Sequence, residues 1–247
     1  RYFYDDRGQS SPDRVTRMIQ QFAPDIICLQ EYNEALARES AAFTHLLETY
    51  SKVGSNGSVV AGPMLILSKY PIIRSDTVAS LGGSLWADIQ IGDEVVRVFN
   101  NHLRSTDIKA GDDQFITQRL YLTDSTRWAK MRSIIHRHRK NSVLRAEQVD
   151  LIAPVIAATP TRYIVCGDFN DTPISYVYRT MARGTTDAFS TCGKGYSHTY
   201  RGFFSTLRID YVLYSTGLEA LSYKVPFVAY SDHLPVVVRL RKTGMNP

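Results

Sequence analysis

The sequence is poor in cysteine: Cys28, Cys166 and Cys192 are three in 247 residues. An odd number so small argues against a disulfide framework. No hydrophobic run approaches the ~20 residues of a membrane-spanning helix, so the polypeptide as given is expected to be soluble. No secretory leader, internal repeat, linker or low-complexity tract is found, and the chain opens at Arg1 in what reads as mid-domain sequence. Between Arg127 and Arg145 there is no acid, while Arg127, Lys130, Arg132, Arg137, Arg139, Lys140 and Arg145 supply seven bases. The net charge of +5 therefore belongs to that one segment. It reads either as a patch facing an anion, nucleic acid or acidic membrane, or as a solvated helix face. What is present is a 44% hydrophobic, 11% aromatic chain, which excludes disorder and suits one large domain over residues 1–247.

Ser10-Ser11-Pro12-Asp13 is a helix start, and Val15, Met18, Ile19 and Phe22 recur at helical spacing up to Ala23-Pro24. Asp25 to Gln30 reads as a buried strand, and Glu34 to Glu48 as a second helix. Strand-like pieces follow at Val59–Ser68, Ile72–Leu81, Leu85–Ile91 and Val95–Leu103. Tyr70-Pro71, Gly82-Gly83 and Gly92-Asp93 separate them as meander turns would. Ser105 to Ser125 is a polar excursion. A long helix is predicted over Thr126–Ala158 with an interruption near Asn141-Ser142, then a strand at Tyr163–Cys166 and a short helix at Ser175–Met181. Strands at Leu207–Tyr214, Leu221–Val225 and Val236–Leu240 complete the pattern. Cys28 and Cys166 are expected to be buried thiols, and Cys192 to lie in a loop. Two packed sheets flanked by helices, an α+β or α/β sandwich, fit this order.

Polar groups with chemical potential stand at the ends of these apolar runs. Gly167-Asp168-Phe169-Asn170 turns a strand into a loop, and Asp168 and Asn170, two apart, share one side of an extended chain. An ordinary Asx turn would read the same way. Asp232-His233 precedes the last strand, and His233 suits proton work near neutrality. Asp210 sits in the apolar run Arg208-Ile209-Asp210-Tyr211-Val212, where a lone carboxylate is costly and an imidazole such as His233 is the natural partner. Glu31 and His102 likewise close strands. Strands that end in acids and a histidine at one place build a site for a hard metal and a phosphate.

In order and form, the LQE, NHL, GDFN, RIDYV and SDHLP motifs, spanning Glu31 to His233, resemble those of the endonuclease/exonuclease/phosphatase superfamily. It includes deoxyribonuclease I, abasic-site endonucleases, deadenylases, inositol polyphosphate phosphatases and neutral sphingomyelinases. The resemblance implies a four-layered sandwich of two mainly antiparallel sheets between helices, and Mg2+-dependent hydrolysis of a phosphoester, with Mn2+ able to substitute. It implies Glu31 as a metal ligand, joined by Asp232. It implies Asp168 and Asn170 orienting water and phosphate, Asp210 paired with His233, and His102 on the phosphate. Such proteins begin with a strand ending in an Asn near the metal. Here Arg1-Tyr2-Phe3-Tyr4 stands where that strand should have ended, so the first strand is expected to lie outside the sequence.

Substrate is less legible, because fold analogy does not carry it. Arg104, Tyr200 and Arg201 are candidate substrate contacts: Arg104 for its place beyond His102, Tyr200 for stacking and Arg201 for a second phosphate. A nuclease-like phosphodiesterase is the leading expectation. A phosphatase or phosphodiesterase on a lipid or inositol phosphate is the alternative, and an inactive binding module the reading from another class. The GDFNDTP form resembles uncharacterised bacterial members, some with membrane-spanning segments upstream, so a membrane-tethered parent protein is expected. No obligate protein partner is inferred.

Overall fold

Pro12 opens helix α1 (Pro12–Phe22), its fixed φ suited to a first turn and Asp13 beside the unpaired N–H groups. Val15 and Ile19 are buried on one stripe, and Ala23, at φ 44°, ends the helix before Pro24. The computed structural model to which this helix belongs describes residues 12–55, 62–78, 82–106, 124–202 and 206–244. The expected capping serines, the chain start and most of the polar excursion fall outside them.

After β1 (Ile26–Gln30) the single helix expected over 34–48 is two, α2 (Glu34–Arg38) and α3 (Ala41–Glu48). Ser40 is the reason. Its backbone is extended (φ −107°, ψ 112°), and its Oγ accepts the Phe43 N–H at 3.0 Å, a cap that starts a new helix. β2 (Ser51–Ser55) is not legible in the sequence, since its polar residues and Gly54 show no alternation. β3 (Met64–Ser68) is buried at all five positions and lies between β1 and β2 in a three-stranded antiparallel sheet.

A second sheet has six strands in the order β4-β5-β6-β7-β9-β8: β4 (Ile72–Thr77), β5 (Ser84–Ile91), β6 (Glu94–His102), β7 (Arg162–Asp168), β8 (Thr186–Asp187) and β9 (Asp210–Tyr214). The meander expected from Val59 to Leu103 is therefore broken at Tyr70-Pro71, where the chain passes from one sheet to the other. Gly92, at φ 64°, does turn the β5–β6 hairpin. β6 and β7 run parallel, so their connection must cross over, and α4 (Asp124–Ala157) lies within it. This helix continues through Asn141-Ser142 without the expected interruption. α5 (Tyr176–Met181) and α6 (Ala188–Cys192) follow β7 and β8. Cys192 thus ends a helix rather than lying in a loop, its thiol 3.0 Å from the Ala220 carbonyl. β10 (Leu218–Lys224) and β11 (Val237–Lys242) pair as a separate ribbon.

The side-chain alternation of the strands sorts the layers. Leu65 and Leu67 of β3 pack with Val15, Ile19, Phe43 and Leu46 of the outer helices, while Met64 and Ile66 face Leu85, Ala87, Ile89, Val98 and Cys166 of the large sheet. The other face of the large sheet, with Trp86, Phe99, Val165 and Leu213, receives Val149, Ile152 and Ile156 of α4 and Val177 and Met181 of α5. Helices, small sheet, large sheet and helices make the four layers that the motifs imply. Asn100 of β6 ties the sheets together: its Nδ2 donates to the carbonyls of Leu29 (2.9 Å) and Leu65 (3.1 Å), and its Oδ1 accepts from Gln30 Nε2 at 2.5 Å. Among the described residues no helix is long and apolar enough to cross a membrane.

Candidate active site

The register of the large sheet sets His102 opposite Asp168, and Asp168 opposite Asp210. The three form one row across β6, β7 and β9, on the face that carries Val98, Cys166 and Val212 toward the small sheet. That row lies where β6 and β7 end and β9 begins. Glu31 arrives from the end of β1, its backbone at φ 52°, and His233 from the segment before β11.

His233 Nδ1 lies 2.9 Å from Asp210 Oδ2, and its Nε2 lies 3.9 Å from Asp168 Oδ2. His102 Nε2 is 3.9 Å from both Asp168 Oδ2 and Glu31 Oε1. The five groups are continuous, with Asp168 at the centre. The side chains of Asp168, His102 and Asp210 are buried, whereas that of Glu31 is 45% exposed, so the cluster opens at Glu31. Asn170, at φ 52°, braces the centre: its backbone N–H donates to Asp168 Oδ1 at 2.7 Å and its Nδ2 to Asp168 Oδ2 at 2.9 Å. Between these polar residues, Phe169 points the other way into the core, its ring 4.8 Å from that of Tyr211. Full burial of that ring, contributing ~2–3 kcal/mol, anchors the loop.

Burial drives the Asp168 carboxyl upward, with the Asp210 charge adding and the His233 charge opposing, to about 7. Burial disfavours charge on His233, yet the Asp210 and Asp168 carboxylates outweigh it and hold the imidazole at about 10. His102 is lowered by burial, partly offset by Glu31. Burial thus favours the neutral form of Asp168, while the two neighbouring carboxylates favour the charged form of His233. The donor set of Glu31, Asp168 and Asp210 with one imidazole is oxygen-rich, which fits a hard divalent cation. Among the described residues, ligand atoms of Asp168, Asp210 and His233 form a group of three that lie within 4.8 Å of one another.

The remaining candidates are placed less centrally. Asp232 is exposed beside His233. Tyr200 packs against His233 in a tilted contact, with ring centroids 5.2 Å apart and planes at 56°. Arg201 Nη1 donates to the Ser231 carbonyl at 3.1 Å, and its guanidinium lies 5.5 Å from the Phe227 ring. Arg104 follows His102 and donates its Nε to Asn141 Oδ1 at 3.3 Å. Arg145, counted among the bases of the exposed patch, is 0% exposed and bound to Asp171. Thr199 escapes a reading of the sequence; its Oγ1 accepts the N–H groups of Ile209 and Asp210 at 3.0 Å each and so fixes the start of β9. Asn100 and Gln30 escape it too, although two amides inside apolar strands are a signal, since buried amides need partners.

This fold and constellation define a phosphoester hydrolase of the deoxyribonuclease I-like kind. The sequence model of the Endonuclease/Exonuclease/phosphatase family matches residues 4–233, and the chain belongs to that family. Solved structures share the fold. One is a mannosyl-6-phosphatase of Bacteroides thetaiotaomicron, 18% identical with TM-score 0.62, covering 93% of this chain and 90% of that one. Another is the human Nocturnin catalytic domain with bound sulfate, 18% identical with TM-score 0.62, covering 94% and 87%. A humanized Danio rerio TDP2 is 13% identical with TM-score 0.66, covering 94% and 91%. No curated protein matches the sequence.

Proposed function

We propose that the chain is a Mg2+-dependent phosphodiesterase, nuclease-like in its substrate. One observation carries the reading: the row His102–Asp168–Asp210, closed by His233 at one end and opened by Glu31 at the other. Glu31, with Asp168 beside it, would hold the cation, and Asp232 stands near enough in sequence to assist. When bound, the cation supplies positive charge to the phosphoryl and leaving oxygens. Asp168, braced by the Asn170 backbone N–H and Nδ2, accepts the proton of the attacking water. His233, protonated and oriented by Asp210, donates a charged hydrogen bond to a phosphoryl oxygen. Asn170 and His102 complete the cradle.

The nuclease-like preference rests on Arg132, Arg139 and Lys140, which stay exposed on α4, a basic face suited to a polyanion. The mannosyl-6-phosphatase among the fold neighbours makes a phosphomonoester the natural competitor. Both are tested by incubating the protein with bis(p-nitrophenyl) phosphate and with p-nitrophenyl phosphate, in Mg2+ and after chelation. The expected result is diester hydrolysis that needs Mg2+ and exceeds monoester hydrolysis. Faster monoester hydrolysis would reassign the substrate class, and no turnover of either would leave the fold as a binding module.

A further inference from the structure

Asn141, Arg145 and Gln148 lie on one face of α4 at spacing i, i+4 and i+7, and are 4%, 0% and 1% exposed. A polar stripe buried on a helix is costly unless every group finds a partner. Here the partners are the loops that lead into the site. Gln148 Oε1 accepts the Arg104 N–H at 2.8 Å, and its Nε2 donates to the Gly82 carbonyl at 3.3 Å. Asn141 Oδ1 accepts Arg104 Nε at 3.3 Å, and its Nδ2 donates to the Thr106 carbonyl at 3.2 Å. Arg145 donates Nη1 to the Arg104 carbonyl at 3.1 Å, Nη2 to Ser142 Oγ at 3.0 Å, and Nε to Asp171 Oδ2 at 3.2 Å.

One helix therefore holds Arg104 at its N–H, its carbonyl and its side chain, two residues beyond His102. The same guanidinium grips Asp171, the neighbour of Asn170. Asn170 Nδ2 joins the same two loops directly, donating to the Leu103 carbonyl at 3.0 Å, and Arg145 adds a second tie from the helix side. Stability alone is a poor account of the stripe, because a buried ion pair seldom contributes more than the apolar side chains that could replace it. Farther along the same face, α4 is held by such residues, at Val149, Ile152 and Ile156. Lysine could not replace Arg145, since three donors fixed in one plane are used in three directions.

We propose that Arg145 is a positioning residue for phosphoester cleavage. With Asn141 and Gln148 it sets Arg104 toward the scissile phosphoryl group and fixes the loop of Asp168 and Asn170 against His102. The inference rests on the phosphodiesterase reading above, so wild-type diester hydrolysis in Mg2+ is measured first. Arg145→Gln is expected to fold, by circular dichroism and thermal melting, yet to lose about 100-fold in kcat, the cost of a roughly 1 Å misplacement. Arg145→Lys should restore only a minor part. Combined with Arg104→Ala, the two losses should fall short of their product, because one acts partly through the other.

A purely structural role would lower the melting temperature while leaving kcat per folded molecule unchanged and the two losses multiplicative. That result, with the wild type active, overturns the inference and spares the phosphodiesterase reading. An inactive wild type overturns both. If Arg145→Gln fails to fold, Asn141→Leu decides. It removes the contact to the Arg104 side chain and is expected to raise KM about 10-fold, the scale of one lost hydrogen bond to a charged group. An unchanged KM overturns the proposal.

Discussion

Replacing His233 by alanine is expected to lower kcat for diester hydrolysis by roughly 10³- to 10⁴-fold, the upper range for removing a positioned proton-bearing group. Asp168→Ala should lose as much. The two replacements act at the centre and at one end of a continuous cluster, in which His233 Nε2 lies 3.9 Å from Asp168 Oδ2. The pH dependence separates the two roles. His233 is held at about 10, so wild-type activity should decline as pH rises through that value and the imidazolium loses its proton. The His233→Ala variant should lack that alkaline decline in its residual rate. Initial rates across pH 6 to 11 check both expectations, and undiminished turnover in either variant would refute the role assignment.

Gly167→Ala should be among the most damaging single substitutions in the chain. Gly167 takes φ +123°, and a Cβ at this position would stand 2.0 Å from the Asn101 carbonyl oxygen, a backbone atom in the neighbouring strand. Asn101 is the registered partner of Gly167, one step before the His102–Asp168 pair, and relief of the clash would part β6 from β7 at the row that forms the site. Strain at such a φ, added to the clash, is expected to cost about 4 kcal/mol or more. Urea unfolding checks this. A variant within about 1 kcal/mol of the wild type would show that the strand pair tolerates a side chain there. Gly92, in the hairpin turn, is the natural control: a Cβ there would meet nothing within 4 Å, so alanine faces only the cost of its φ of 64°.

The motif residues are legible because each is a polar group at the end of an apolar run, where burial without a purpose is expensive. Asp210 shows the reasoning at its best: a carboxylate in an apolar strand requires a cation, and His233 is within 2.9 Å. What the sequence does not show is register. Nothing in the chain order says that His102, Asp168 and Asp210 fall in one row, because strand pairing is decided between segments far apart in number. For the same reason Val59–Ser68 and Ile72–Leu81 look like neighbours in a meander, although their strands belong to different sheets. Composition alone groups Arg145 with the exposed bases. Its burial depends on Asp171 and the Arg104 carbonyl, which only the folded chain brings to α4. Ser40 is within reach: a hydroxyl followed by an apolar turn is a cap, but helical spacing on both sides masks it.

The account centres on Glu31, Asp168 and His233 acting at one cation-dependent phosphate site. Titrating the protein with Mn2+ while following free Mn2+ by electron paramagnetic resonance, with and without a non-hydrolysable phosphodiester, tests this most directly. The wild type is expected to take up the cation, more tightly when the phosphodiester is present, and Glu31→Gln to weaken both effects. Equal Mn2+ uptake by wild type and Glu31→Gln, indifferent to the phosphodiester, would contradict it.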